Sequence, residues 1–247
     1  SRSESREETR RREPMNDTPL IGHFFADYGV ESEVLSTYGN VVRATINPRP
    51  NPYVDVTYQI DLLDSLPAGK FDLLLLHPRC TDKSDMTSID GEPDDHENQI
   101  PRAREIAETI ADDYIIENKP RDDLRNSTVL NGKMYGLPIK YERAFETTFP
   151  VRNPPRERQL PGKTVSPYFY SDRDLDWWLS TKGYRHRWPK QHLAKNAVPA
   201  PYLQTLIRSW LESTRSRNAE EAQDNNGRAP RRTTHEQATL LNGGGQA

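Results

Sequence analysis

The 247-residue sequence predicts an open α/β sheet built mainly of parallel strands. Two observations carry this. Aliphatic and β-branched runs alternate with helix-patterned segments along the chain. The run Phe71–Leu76, FDLLLL, is apolar almost without a break, which is the pattern of a strand covered on both faces. In such sheets a ligand gathers beyond the carboxyl ends of the strands.

The elements follow in order. Residues 21–25 form a short apolar run, and Gly29 marks the turn after it. Residues 30–38 read as a short helix ended by Gly39-Asn40. Residues 41–46 are a β-branched strand, stopped by the proline-rich stretch 47–52. Residues 53–60 read as a third strand with Asp61 behind it, and FDLLLL as the fourth. Residues 101–111 read as a helix opened by a proline, and 114–116 as an apolar strand followed by Glu117-Asn118. Residues 143–149 read as a further strand. Residues 202–213 read as a helix with Leu203, Leu206, Ile207, Trp210 and Leu211 on one face. There is no internal repeat and no Walker-type glycine loop.

Composition bounds the ends and the compartment. Hydrophobic residues make up only 33% of the chain and the mean hydropathy is −0.93, low for a fully ordered globule. Residues 1–14 contain no aliphatic side chain, and residues 214–247 are polar and end in a glycine run; both read as disordered. The first methionine is Met15, so the preceding segment reads as an unstructured leader or an upstream extension. No apolar run is long enough for a membrane span, and no apolar signal segment opens the chain. The expectation is a cytoplasmic protein (host cytoplasm if the source is viral), monomeric and without a membrane partner. The single cysteine, Cys80, excludes an intrachain disulfide and any multi-cysteine zinc site, and no metal is expected.

Charge is unevenly spread. Residues 15–138 hold 11 basic and 22 acidic side chains, a net of −11, whereas residues 139–195 hold 12 basic and 6 acidic, a net of +6. The second stretch also contains Tyr168, Phe169, Tyr170, Trp177, Trp178, Tyr184 and Trp188. Cations interleaved with aromatics suit phosphate attraction and base stacking. A small solvated subdomain with an aromatic core has the same composition.

Three polar residues fall at expected strand ends. Cys80 lies just past FDLLLL, in His77-Pro78-Arg79-Cys80-Thr81; the guanidinium of Arg79 beside it favours the thiolate, which is the nucleophilic form. Glu117 ends the 114–116 strand, and Arg143 opens the AFETTF run. Taken singly, the commoner readings are a structural thiol and a solvated strand end, and Arg143 reads also as a surface cation.

Together, in this order, they resemble the DNA cytosine-5 methyltransferases, especially the short phage-type members. The matching fragments are Pro78-Arg79-Cys80-Thr81 with Ser84 nearby, Tyr114-Ile115-Ile116-Glu117-Asn118, Val129-Leu130-Asn131-Gly132-Lys133-Met134-Tyr135-Gly136-Leu137, Tyr141-Glu142-Arg143-Ala144-Phe145-Glu146-Thr147 and Asn196-Ala197-Val198-Pro199. The resemblance implies a Rossmann-like S-adenosylmethionine-dependent methyltransferase sheet with a small basic target-recognition segment. Residues 15–149 would be the catalytic domain, 150–189 the target-recognition segment and 190–213 the segment returning to the catalytic domain. It implies double-stranded DNA as partner, S-adenosylmethionine as cofactor and a restriction-modification setting. The cytosine would be flipped out, Cys80 would attack carbon 6, Glu117 would hold or protonate nitrogen 3, and Arg143 would grip the base carbonyl. Phe25, Gly29, Asn47, Asp61, Asn196 and Val198 would line the cofactor, and Arg79, Lys163, Arg185 and Arg187 would meet nucleic acid.

The cofactor half departs from that pattern. Of the family's glycine-rich first loop only Gly29 remains, with Asp27 and Tyr28 in its place, and the acid that grips the ribose is replaced by Thr45 or Asn47. Arg79 and Thr81 replace a proline and a glutamine beside the nucleophile, and Tyr141 replaces an arginine. Two readings follow: an active, divergent methyltransferase, or a retained fold that binds nucleic acid or a partner without catalysis.

Overall fold

A computed structural model describes residues 18–79 and 98–227. Its chain divides into two units, Ser1–Trp210 and Leu211–Ala247. Cys80, Thr81 and Ser84 lie outside the described residues, as do the segments 1–17 and 228–247.

Among the described residues the strands are β1 (Leu20–Phe24), β2 (Asn40–Thr45), β3 (Val56–Gln59), β4 (Phe71–Leu76), β5 (Ala111–Asn118), β6 (Thr128–Asn131) and β7 (Glu142–Thr147). They form one seven-stranded sheet in the order β3-β2-β1-β4-β5-β7-β6. β1 to β5 pair in parallel, and β7 runs antiparallel to both β5 and β6. The sheet expected from the sequence is therefore present. The helices are α1 (Ser32–Leu35), α2 (Ile100–Ile110), α3 (Leu175–Lys182), α4 (Lys190–Lys195) and α5 (Ala200–Gly227). Among the described residues no helix is long and apolar enough to cross a membrane.

β4 is central because its side chains demand it. Leu73 to Leu76 are wholly buried, and each such side chain stabilises the fold by about 1.5–3 kcal/mol. Asp72, the one polar break in the run, is exposed and accepts a hydrogen bond from the Leu20 amide at 2.7 Å, fixing where β1 begins. Gly22 lies opposite Leu74, and a Cβ there would come within 2.1 Å of Leu74 Cδ2, so the strands approach as they do only because the side chain is missing. α2 buries Ile100, Ala103, Ile106 and Ala107, a helical spacing, and packs them into the cluster of Phe24, Phe71, Leu74 and Ile116. From the same helix Arg104 reaches β7, where Nε and Nη2 donate to the two Glu146 oxygens at 2.7 Å each. Glu146 also accepts from the Arg125 amide at 2.7 Å and from Tyr114 Oη at 3.2 Å, so this buried carboxylate is fully satisfied.

Several boundaries move from their expected places. α1 is only four residues long, because Ser36 and Thr37 bond back to the Glu33 and Val34 carbonyls and take the chain out of the helix. β3 is shorter than 53–60 and exposed throughout, as an edge strand. β5 is longer than 114–116, starting at Ala111 directly after α2. β6 has no strand signal beyond Val129-Leu130 and exists because it pairs with β7. The helix expected over 202–213 spans Ala200–Gly227, so the tail reading is corrected for 214–227: that stretch is polar but carries the helix-forming run Ala219-Glu220-Glu221-Ala222-Gln223 and meets no glycine or proline before Gly227.

Candidate active site

The strand order reverses between β1 and β4, so the loops after these strands part and leave a crevice at the carboxyl edge of the sheet. Two cavities open there, of about 280 and 290 Å³, and Phe25, Asp27, His77 and Arg79 line both. They are two chambers of one crevice.

The loop after β1 is braced by side chains rather than by glycines. Arg43, buried in β2, donates to the carbonyls of Asp27 (3.1 Å), Tyr28 (3.2 Å) and Arg49 (2.7 Å). Asn51 donates to the carbonyls of Tyr28 (2.9 Å) and Gly29 (2.8 Å). Gly29 has φ +61, and a Cβ there would sit 3.0 Å from Arg43 Cδ, so glycine is required at this one point. Phe25 adopts φ 57 with a full side chain, a conformation costing about 1–2 kcal/mol that the braces hold in place. Asp27 accepts from Thr45 Oγ1 at 2.5 Å and so carries a carboxylate into the crevice beside the end of β2.

The first chamber is built by two neighbouring strands of opposite direction. β5 ends at Glu117-Asn118, and β7, running back, begins beside it, so Glu117 and Arg143 meet although 26 positions apart in sequence. Arg143 Nε lies 2.8 Å from Glu117 Oε1 as an ion pair, and His77 Nδ1 lies 3.0 Å from Glu117 Oε2. Arg143 also rests on the Tyr141 ring at 4.0 Å and donates to the Lys195 carbonyl at 3.3 Å. Burial pushes the Glu117 pKa up, but the His77 hydrogen bond and the Arg143 charge outweigh it and hold the carboxyl below its usual range. Burial likewise works against a charge on His77, but Glu31 and Glu117 outweigh it and raise its pKa. Lys182, buried beside the Tyr141 ring, goes the other way: burial and the Arg143 charge hold its pKa well below the usual lysine value. Burial also holds His23 well down, with His77 and Arg43 adding to the effect.

The sequence-derived residues divide. Glu117, Arg143, Phe25, Gly29 and Asn196 line one chamber; Asn47, Asp61 and again Phe25 line the other; Arg79, the neighbour of Cys80, lines both. Val198 is corrected: it is buried, lines neither chamber, and serves through its backbone, its amide donating to Glu31 Oε1 at 2.7 Å and its carbonyl accepting from Tyr184 Oη. Lys163 lies apart, on a separate groove with Lys133, Lys140 and Arg158. Arg187 is exposed and ion-paired with Asp176 at 2.7 Å, and the Arg185 amide donates to Glu33 Oε1 at 2.6 Å. Of the aromatics in 139–195, Trp178, Tyr184 and Trp188 are core, while Tyr168 and Phe169 are 58% and 55% exposed on the short 3₁₀ helix Pro167–Asp172. Asp27, expected from the sequence to put bulk or charge in the first loop, does carry an acid into the crevice, whereas sequence reasoning missed Glu31, His23 and His77. The one available signal was the position of His77 directly after FDLLLL.

No family model matches the chain, and no curated protein matches it. Solved structures resemble it in outline. A protein named as a DNA modification methyltransferase, encoded in an Escherichia coli prophage, shares 14% identity at a TM-score of 0.39 over 52% of this chain and 45% of that one. A mutant DNMT2 of Spodoptera frugiperda shares 16% at a TM-score of 0.38 over 59% and 56%. The Entamoeba histolytica methyltransferase EhMeth shares 12% at a TM-score of 0.49 over 80% and 99%. The chain thus spans about half the length of the first two. The fold rests on the sheet itself: a Rossmann-like sheet, mostly parallel, with its crevice at the reversal of strand order. Fold alone assigns no substrate.

Proposed function

We propose that this chain methylates carbon 5 of a cytosine flipped out of double-stranded DNA, with S-adenosylmethionine as methyl donor. The observation that carries the reading is the meeting of Glu117 and Arg143 in one buried chamber, next to a second chamber lined by Asn47 and Asp61.

The second chamber fits an adenosyl cofactor by its chemistry. Asn47 and Asp61 offer acceptors for ribose hydroxyls or an adenine amine, Ile60 and Leu62 offer apolar walls, and Asp27 offers a carboxylate to an ammonium or sulfonium charge. When bound, that group supplies the electrophilic methyl. In the first chamber Glu117, held ionised, accepts a hydrogen bond from the exocyclic amine of the base and steadies a proton at ring nitrogen 3. Arg143, already fixed by Tyr141 and the Lys195 carbonyl, donates to the base carbonyl and stabilises charge that develops on the ring. Cys80, one residue beyond Arg79, is the nucleophile in this reading: its thiolate adds to carbon 6 across the 5,6 double bond, and once carbon 5 carries the methyl its proton passes to a base and the thiolate leaves as the double bond re-forms. Tyr168 and Phe169, with Lys195 within 5.8 Å of the Tyr168 ring, offer a stacking and phosphate-binding surface.

Radiolabelled methyl transfer to mixed-sequence DNA, with covalent trapping on a 5-fluorocytosine duplex, tests the reading. Transfer and a trapped adduct, both lost in Cys80→Ser, support it; an adduct that survives Cys80→Ser overturns the assignment of the nucleophile. A non-catalytic, nucleic-acid-binding role is the second reading, favoured by Phe25 at positive φ and by Asp27 in the first loop. Calorimetry with S-adenosylmethionine that shows no heat at millimolar cofactor selects it.

A further inference from the structure

His23, Glu31 and His77 cluster at the first chamber, and that scheme leaves their facing atoms without a role. His23, in the middle of β1, is wholly buried; its Nδ1 pairs with Ser32 Oγ at 2.8 Å, and its Nε2 has no hydrogen-bond partner among the described residues. His77 is held through Nδ1 by Glu117, and its Nε2 is likewise without a hydrogen-bond partner among the described residues. Both Nε2 atoms face the same oxygen, Glu31 Oε2, at 3.6 and 3.9 Å. The other oxygen of Glu31 is anchored by the Val198 amide. The three facing atoms lie within 4.8 Å of one another.

We propose that His23 Nε2, His77 Nε2 and Glu31 Oε2 bind one divalent first-row transition-metal ion. The spacing is too long for hydrogen bonds, which would bring nitrogen and oxygen to about 2.7–3.2 Å. It is nearer that of ligands around a cation: bonds of about 2.0–2.1 Å in a tetrahedral site place ligand atoms roughly 3.3 Å apart, so the two distances to Glu31 would shorten by about 0.3–0.6 Å on binding, with the two rings drawing together. A cation there also satisfies two buried ring nitrogens that otherwise lose hydration without compensation. Both imidazoles are oriented as ligands are, each with its second nitrogen held by an oxygen, that of His77 by a carboxylate. Two nitrogen donors favour a transition metal over magnesium or calcium. The Nη1 and Nη2 groups of Arg43 are committed to loop carbonyls and take none of the three proposed ligand atoms, though its charge reaches His23. Glu31 and His77 line the chamber, so a further coordination position is open to a small ligand. The ion would fix His77, and through it the carboxylate of Glu117.

Cobalt(II) titration of the full chain after chelator dialysis, followed by visible absorption, tests this independently of methyl transfer. One equivalent with the intense bands of a four- or five-coordinate site is expected, displaced by zinc. Ser32→Ala should weaken binding by about 10–100-fold through loss of the orienting contact, and His77→Asn should abolish the bands while the far-ultraviolet circular dichroism is kept. Should His77→Asn fail to fold, the wild-type titration and Ser32→Ala decide the matter. Absence of bands at millimolar cobalt in the wild-type chain overturns the proposal. So do equal affinity in Ser32→Ala, or bands that vanish in Cys80→Ser, which would place the ion on the thiolate.

Discussion

Replacing Glu146 by glutamine isolates what holds the β7 edge of the site together. The carboxylate takes two hydrogen bonds from Arg104 at 2.7 Å, one from the Arg125 amide at 2.7 Å and one from Tyr114. Both members of the ion pair are buried, with side-chain exposures of 8% and 3%. The isosteric amide keeps the shape but leaves the Arg104 charge without its counter-ion, and breaking a buried pair in this way costs about 3–5 kcal/mol. For a chain of this size each kcal/mol lowers Tm by about 2–4 °C, so a fall of roughly 6–20 °C is expected in a calorimetric melt at pH 7. The pH dependence has a definite sign. Burial pushes the Glu146 pKa up, but Arg104, the Arg125 amide and Tyr114 outweigh it, leaving it below the ordinary 4.5. The stabilisation is therefore complete above the unfolded value and is lost as pH falls through the folded one. The gap between wild type and Glu146→Gln should be constant from pH 6 to 8 and close in acid below 4.5. A loss under about 1 kcal/mol at neutral pH, the range of an exposed pair, would refute the reasoning.

Other substitutions probe the site and its surroundings. Glu117→Gln should slow methyl transfer by about 10²–10³-fold, as removal of a preorganised electrostatic group does, with cofactor affinity within about twofold of wild type; rate and calorimetric measurements on one preparation separate the two. The double change of Tyr168→Ala and Phe169→Ala should weaken DNA binding by about 1–3 kcal/mol per base stacked without moving the melting temperature, because both rings are more than half exposed. Gly22→Ala should lower the denaturant midpoint by the equivalent of about 1–3 kcal/mol, since its Cβ would lie 2.1 Å from Leu74 Cδ2.

The sheet was legible because its signals are local. FDLLLL must be covered on both faces, and the alternation of strand and helix patterns leaves few arrangements. Glu117 and Arg143 were legible as strand-end residues, and their meeting follows once β7 is known to run back beside β5. What stayed hidden depends on distant partners. β6 is a strand only through β7, and the two apolar residues Val129-Leu130 are too short a run to announce it. His23 reads as one polar residue inside an apolar run; its pairing with Ser32, His77 and Glu31 joins three separate loops and strands. The aromatic residues of 139–195 looked alike in sequence, yet packing buries Trp178, Tyr184 and Trp188 and leaves Tyr168 and Phe169 outside. Charge counting could not tell a core indole from a surface ring.

The two glutamates of the α1 region set the order in which the protein can be completed. Glu33 receives the Arg185 and His186 amides and the Trp188 indole, and Glu31 receives the Val198 amide, across separations of 152 to 167 residues. Closing loops of that length is slow and gains nothing until the far end arrives. The early strands can pair while the chain is still emerging from the ribosome, but the floor of the crevice has to wait for residues 185–198, made after all seven strands. A nascent chain halted before Val198 would hold a sheet without a finished pocket.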